Sequence, residues 1–238
     1  MAAFVAEPIT GSTAGVLVPP DDYWPRVAEI CRERGVLFIA DEVMSGFGRS
    51  GRRFAVEHFG VQPDILVGGK GLAGGYAPIG GVYASEAVVA PLAERGEDLM
   101  FFTFGAHPAG CAAANKVLEI MENEKLVERS ARLGDLLLQK LAPLRDHPHV
   151  AEVRGIGLWT AVELVRDRDT LEHWPADVDF ATRVVAAGLA EGVFFYPGGS
   201  GSAKDIVLMG PAFVIEEEEL DLMTSVLGRA IDAAAGWS

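Results

Sequence analysis

The chain has 238 residues, half of them hydrophobic, and a formal net charge of −14. A chain of this length can bury a substantial core, as one large domain or two small ones. Its acidity and the lack of a Lys/Arg-rich run argue against a nucleic-acid or anionic-membrane partner. No apolar run reaches the ~18 residues of a membrane-spanning helix. Cys31 and Cys111 form neither a CxxC pair nor a metal spacing, which fits a cytoplasmic protein.

Four short apolar runs in the first half are typical of buried strands, and they cover residues 4–6, 36–40, 65–67 and 79–84. Between the first two runs, apolar residues recur at i, i+3, i+4 and i+7, which predicts a helix that ends at Gly35. A short helix is expected near residues 53–59. Strands separated by helices indicate an α/β fold with a parallel sheet.

From about Pro108 a long helical stretch runs to about Leu144, with a break predicted near Asn123. Strands and helices then alternate again. The predicted strands cover 150–154, 158–165, 194–196 and 206–209, and the predicted helices cover 177–191 and the stretch after 216. We therefore expect a division somewhere in 110–145, with residues 1–125 in a large α/β domain and 126–238 in a smaller α/β domain.

Three charged residues directly follow predicted strands. Glu7, Asp41 and Lys70 come after the first, second and third apolar runs. In a parallel α/β sheet, ligands bind at the carboxyl ends of the strands. Because an acid and a lysine are costly to bury unless each has a partner, these residues indicate either a structural ion pair or a functional site.

The surroundings of Lys70 favour a functional site. The lysine is flanked by glycines that permit tight turns and close backbone approach to a ligand, at positions 68, 69, 71, 74 and 75. A phosphate-binding loop of the GxxxxGK[ST] type is not matched, since Gly71 follows the lysine. A lysine in a dry, glycine-lined pocket is suited to forming a Schiff base, since burial favours the neutral amine. The five histidines show no metal spacing, so no metal site is predicted.

Four segments resemble motifs of the class III aminotransferases, which depend on pyridoxal 5′-phosphate (PLP). Residues 41–51, DEVMSGFGRSG, resemble the family signature, and residues 64–81 resemble its lysine segment. Residues 102–108, FTFGAHP, are similar to its phosphate-contact segment, and residues 6–8, AEP, match its Glu-Pro element. The segments occur in the family's order and approximate spacing. The resemblance implies a fold type I enzyme, with 1–125 as the C-terminal part of the large PLP-binding domain.

The resemblance also implies roles for five residues. Lys70 would form a Schiff base with PLP and carry the proton between the substrate carbon and the cofactor. Asp41 would pair with the pyridine nitrogen and keep it protonated, which makes the ring a better electron sink. Val43 would pack against the ring, and Glu7 would help to order the pocket near Asp41. Thr103 would donate its hydroxyl to the cofactor phosphate of a neighbouring subunit, which makes a homodimer part of the mechanism.

Members of this family are nearly twice as long, and their N-terminal half supplies an aromatic ring and a Ser/Gly loop that contact PLP. A missing N-terminal half is therefore an expected partner. One hypothesis is a catalytic aminotransferase portion, and the other is an inactive fragment or assembly subunit. A mutase or decarboxylase on the same fold is a further alternative. The segment around Leu208 and Met209 lacks the arginine of many α-amino acid enzymes, which favours an amine or ω-amino acid donor and a keto acid acceptor.

Overall fold

The computed structural model describes residues 1–96, 102–175, 177–200 and 203–236. Backbone contacts divide the chain into two compact units. The first unit comprises Met1–Ile9 and Pro19–Glu128, and the second comprises Thr10–Val18 and Arg129–Ser238. A short segment near the start of the chain thus belongs to the second unit. None of the helices in the described ranges is long and apolar enough to cross a membrane.

The first unit is built around a four-stranded sheet with helices. Its elements are β1 (Ala3–Ala6), α1 (Tyr23–Arg34), β2 (Leu37–Asp41), β3 (Ile65–Gly68), β4 (Gly81–Ala84), α2 (Glu86–Arg95) and α3 (Pro108–Asn123). Two 3₁₀ helices cover Ala55–Phe59 and Lys70–Ala73. The sheet order is β1-β2-β3-β4. The predicted strands and the helix before Gly35 are confirmed, and the Gly35 N–H bonds to the carbonyls of Arg32 and Cys31.

Strand direction differs from the prediction at one edge of this sheet. β1, β2 and β3 are parallel, but β4 runs antiparallel to β3. A parallel pair needs a crossover connection of a dozen or more residues, usually with a helix. The chain between β3 and β4 contains only the short 3₁₀ helix Lys70–Ala73, so β4 returns beside β3 in the opposite direction.

One face of this sheet is packed and the other is open. On the packed face Phe38 is buried, and its ring stacks on Trp24 of α1 with centroids 5.4 Å apart. The Trp24 indole donates a 2.8 Å hydrogen bond to the Pro8 carbonyl. On the opposite face, Val5 is 59% and Val82 is 70% exposed. Strands of mainly parallel sheets are usually covered by other elements on both faces. In the described residues, this apolar face is left exposed to solvent.

The helical stretch after the sheet divides as predicted. α3 ends at Asn123, and α4 (Leu126–Leu141) begins after Lys125, which has a positive φ of +51°. Pro108 occupies the start of α3, where a missing N–H costs nothing. By contrast, α2 has no counterpart in the prediction. It contains Pro91, a residue that argues against a helix interior, and none of its residues is buried.

The second unit packs helices on an antiparallel sheet. Beside most of α4, its elements are β5 (Val150–Gly155), β6 (Thr160–Leu164), α5 (Phe180–Ala190), β7 (Tyr196–Ser200), β8 (Ala203–Met209) and α6 (Glu217–Ala235). The sheet order is β5-β6-β8-β7. Leu133, Leu137 and Leu141 of α4 are fully buried in its core. The strand expected at 194–196 instead begins at its last residue, Tyr196.

Arg154 joins the segment Thr10–Val18 to the second unit's sheet. Its guanidinium donates to the carbonyl of Gly15 at 2.7 Å and to that of Ala14 at 2.8 Å. The same group pairs with Glu152 and Glu163, each at 2.6 Å. With its side chain only 11% exposed and bonded to two backbone carbonyls, Arg154 is a structural residue.

Candidate active site

The sheet topology brings three predicted site residues to one edge. β1 and β2 are parallel with Ala6 opposite Ala40, so Glu7 and Asp41 leave their strands at the same level. β2 and β3 are parallel with Asp41 opposite Val67. Lys70 follows three residues later, directly beyond the end of β3. An acid on each of two strands and a lysine beyond the third therefore lie at the carboxyl edge of the parallel strands, where ligands of such sheets bind.

Asp41 is held by the turn that follows it. It is the last residue of β2 and is partly buried. Its Oδ1 accepts a 3.0 Å hydrogen bond from the Val43 N–H, which fixes the carboxylate against its own backbone. The Val43 side chain lies beside the lysine segment, because a Cβ built on Gly69 would stand 3.6 Å from the Val43 Cγ1. The structure thus brings Asp41, Val43 and the start of the Lys70 loop together.

Lys70 has an unusual backbone conformation. It begins the 3₁₀ helix Lys70–Ala73 with a φ of +38°, a region that non-glycine residues rarely adopt and that often marks a functional position. Gly74 ends the helix with a φ of +57°. Lys70 is exposed in this chain, and the dry pocket expected for it from the sequence stays a prediction. The glycines allow close approach of a ligand but do not cover the amine.

Phe47 packs beneath the lysine loop, and sequence reasoning missed it. A Cβ built on Gly68 would stand 2.9 Å from the Phe47 ring, and one on Gly71 would stand 3.1 Å from the Phe47 Cβ. Phe47 is buried, contacts the Phe54 ring edge-on at 5.3 Å and has a φ of +54°. The glycines at positions 68 and 71 are therefore needed to make room for the Phe47 side chain.

Glu42 is a second residue that the sequence did not single out. It is fully buried, and burial raises the pKa of its carboxyl, partly offset by hydrogen bonds from Ser45, Ala55 and Val56. The sequence did contain a signal for Glu42, because it lies directly after another acid, Asp41. Neighbouring residues at a strand end point to opposite faces, so one acid of such a pair faces away from the site and needs its own donors.

Arg49 and His58 lie in the same region and show the effect of burial. Desolvation lowers the pKa of the Arg49 guanidinium to about 10. It also lowers the pKa of His58, whose Nε2 lies 3.0 Å from the Ser50 carbonyl. Among the described residues, no cluster of three or more His, Cys, Asp or Glu side chains could hold a metal ion.

Thr103 and Glu7 are the two remaining predicted site residues. Thr103 lies in an exposed turn ahead of α3. The start of α3 meets the lysine segment, since a Cβ built on Gly110 would stand 3.9 Å from Ile79. Glu7 is partly buried directly after β1. The donor set at this edge fits PLP, whose aldehyde bonds to an amine, whose ring nitrogen pairs with a carboxylate and whose phosphate takes hydroxyl donors.

The chain that places this lysine and acid at the carboxyl edge of a mainly parallel sheet has the fold of the fold type I transaminases. The model of the aminotransferase class-III family matches residues 1–231, so the chain belongs to this family. Putrescine–pyruvate aminotransferase of Pseudomonas aeruginosa is 36% identical over 99% of this chain and 50% of its own length. Adenosylmethionine-8-amino-7-oxononanoate aminotransferase of Anoxybacillus flavithermus is 35% identical over 97% of this chain and 51% of its own length.

Solved transaminase structures have the same fold as this chain. An (S)-enantioselective ω-transaminase of Thermomicrobium roseum is similar with a TM-score of 0.91 and 39% identity, over 98% of this chain and 51% of its own. A transaminase of the marine bacterium Virgibacillus has a TM-score of 0.92 and 36% identity, over 98% of this chain and 53% of its own. The chain thus spans about half the length of the relatives that it matches.

Proposed function

We propose that this chain supplies the lysine and the pyridine-binding acid of a PLP-dependent aminotransferase. The observation that carries the proposal is that Asp41 ends β2 and Lys70 lies just beyond the end of the neighbouring parallel strand β3, within a chain that matches the class III family from residue 1 to 231. The reaction would transfer an amino group from an amine or ω-amino acid to a keto acid. Localisation in the cytoplasm is part of the proposal.

Each site residue then has a task set by its position. Bound PLP would supply an aldehyde for a lysine amine and a ring that withdraws electrons. The Lys70 Nζ would hold the cofactor and, once displaced by the substrate amine, would move the proton at the substrate carbon. The Asp41 carboxylate would hold a proton on the ring nitrogen, and Val43 would pack against the ring. Thr103 Oγ1 would donate to a phosphate, across a homodimer interface in our proposal, and Glu7 would order the pocket.

The open sheet face supports a complementary polypeptide as partner. Apolar side chains of all four strands lie on this face, with Val5 and Val82 the most exposed. Asp41 shares the face, because it alternates with the buried Phe38 and Ala40 along β2. On the other side a groove of about 880 Å³ is floored mainly by Phe47, Phe54, Leu66, Tyr83, Leu118 and Met121. A sheet with one packed face and one open apolar face fits a chain that spans half of the length of its relatives.

The test is covalent trapping of the cofactor. The purified chain is mixed with PLP and reduced with borohydride, and the adduct is mapped by mass spectrometry, with Lys70→Ala as the matched control. A single adduct at Lys70, absent from the control, is the expected result. Adducts spread over surface lysines such as Lys116 and Lys140 would refute selective binding by this chain.

Turnover separates the aminotransferase from its alternatives. The chain is combined with the first half of a class III relative and offered a panel of amines, ω-amino acids and α-amino acids with pyruvate. Alanine formation from the first two donor classes supports the proposal. Selective adduct formation without turnover would favour an inactive fragment or assembly subunit, and rearranged or decarboxylated product would favour a mutase or decarboxylase. Transfer from α-amino acids alone would overturn the proposed donor class.

A further inference from the structure

The segment 41–51 that begins at the end of β2, called the signature turn below, contains a buried carboxylate, that of Glu42. The proposed chemistry assigns no role to this carboxylate. Glu42 is 0% exposed, and a carboxylate removed from water is costly unless donors surround it. Its Oε2 accepts the Ser45 hydroxyl at 2.5 Å, and its Oε1 accepts the Val56 N–H at 2.9 Å. The Ala55 N–H also contributes a hydrogen bond. All of these partners are neutral groups of the first unit, so Glu42 is satisfied by hydrogen bonds rather than by an ion pair.

These bonds join segments that are distant in sequence. Val56 lies 14 residues beyond Glu42 and belongs to the 3₁₀ helix Ala55–Phe59. The Glu42 backbone is fixed as well, because its N–H donates to the Val67 carbonyl of β3 and its carbonyl accepts from Gly46, both at 2.9 Å. Glu42 is therefore the point where β3, the signature turn and the 3₁₀ helix are connected.

We propose that Glu42 is a positioning residue that sets the places of Asp41 and Lys70 by tying the signature turn to the 3₁₀ helix Ala55–Phe59. Residues 41 and 42 point to opposite sides of the strand end. Glu42 thus fixes the turn on the packed side of the sheet. Asp41, bonded to the Val43 N–H, lies on the open face. This inference rests on the proposed function, because it assigns Glu42 a role in the same site.

The position of the signature turn also affects the position of Lys70, through the packing of Phe47. Phe47 belongs to the turn and lies against Gly68 and Gly71, on either side of the Lys70 backbone. Because packed groups this close cannot move independently, a displacement of the turn displaces Phe47 and with it the loop that carries Lys70. Loss of the Glu42 bonds is therefore expected to affect cofactor capture at a residue that Glu42 does not itself contact.

Three variants test this role. In Glu42→Gln, the amide oxygen still accepts from Val56, and the amide N–H donates to a Ser45 hydroxyl that has rotated. Glu42→Ala leaves the backbone donors without an acceptor. Cys31→Ala, on α1, is the matched control for loss of a buried side chain in the same unit. The readouts are the rate of borohydride-trapped PLP capture at Lys70 per folded molecule and, without PLP, amide hydrogen exchange at Val43 and Val56.

For Glu42→Ala we expect capture to be about tenfold slower per folded molecule, the rate equivalent of one lost buried hydrogen bond. Amide exchange at Val43 and Val56 should be faster by a similar factor. Glu42→Gln should restore most of both, and Cys31→Ala should leave both near the original values. Equal effects of Glu42→Ala and Cys31→Ala would overturn the inference. If the unaltered chain captures no PLP, the proposed function fails for this chain, whereas unchanged exchange at Val43 in Glu42→Ala overturns the positioning role by itself.

Discussion

Two adjacent glycines before the lysine give a sharp test of the packing beneath the site. A Cβ on Gly68 would stand 2.9 Å from two carbons of the Phe47 ring and 3.3 Å from Tyr83. Contacts under 3.0 Å force a shift, and overpacking of this kind costs about 1–3 kcal/mol. A Cβ on Gly69 would stand 3.6 Å from Val43 and 3.9 Å from the Ile79 carbonyl oxygen, both ordinary contact distances, with an extended backbone at φ −174°. Alanine there is unstrained and restricts the unfolded chain, which stabilises by up to about 1 kcal/mol.

We therefore expect Gly68→Ala to lower the local stability of the first unit by about 1–3 kcal/mol and Gly69→Ala to leave it unchanged or slightly raised. Amide hydrogen exchange of β2 and β3 measures this stability strand by strand. Phe47→Leu in the Gly68→Ala background should recover part of the loss, because a smaller side chain removes the clash. Equal destabilisation by the two alanines, or no recovery with Phe47→Leu, would show that Phe47 does not set the glycine requirement.

Three further predictions concern the polar and apolar core. Arg154→Ala should cost the second unit at least about 2 kcal/mol, because the carbonyls of Ala14 and Gly15 lose a charged donor. Urea denaturation should show this loss, and Arg154→Lys should recover little of it. Burial raises the pKa of the Glu42 carboxyl above the ordinary 4.5. The free energy of unfolding therefore falls as pH rises from about 4.5 through the raised pKa, because the folded state must then hold a buried carboxylate. Glu42→Gln should therefore be more stable than the unaltered chain at neutral pH but not below about pH 4.5. Leu137→Ala, at a fully buried core position, should cost about 2–5 kcal/mol, measured by thermal denaturation.

The strand ends that carry the site could be predicted from the sequence for a simple reason. Continuous apolar runs of three to five residues mark strands covered by other elements, and the first charged residue after each run marks its end. Asp41 and Lys70 follow this rule, and the structure places both at the same edge. The rule depends only on local residue order, so it needs no knowledge of which segments meet in space.

Features that depend on distant partners could not be predicted in this way. The donors of Glu42 lie 14 residues further along, in a 3₁₀ helix with no periodic pattern of its own. The packing of Phe47 on Gly68 likewise joins two different loops. The antiparallel direction of β4 follows from what its connection lacks rather than from residues of the strand. The roles of Glu7, Val43 and Thr103 and the boundary between two domains stay predictions.

The geometry of the site and its shielding from water are separate properties of this molecule. Asp41, Val43 and the Lys70 loop are held by contacts within the first unit, chiefly those of Glu42 and Phe47. Lys70 itself is exposed. Since an amine is activated for covalent catalysis when it loses its water, the chain alone should capture PLP selectively but slowly. A partner that covers the open sheet face should raise the capture rate without changing which lysine reacts. Faster capture at new positions, once a partner is added, would mean that the preformed geometry does not direct the cofactor.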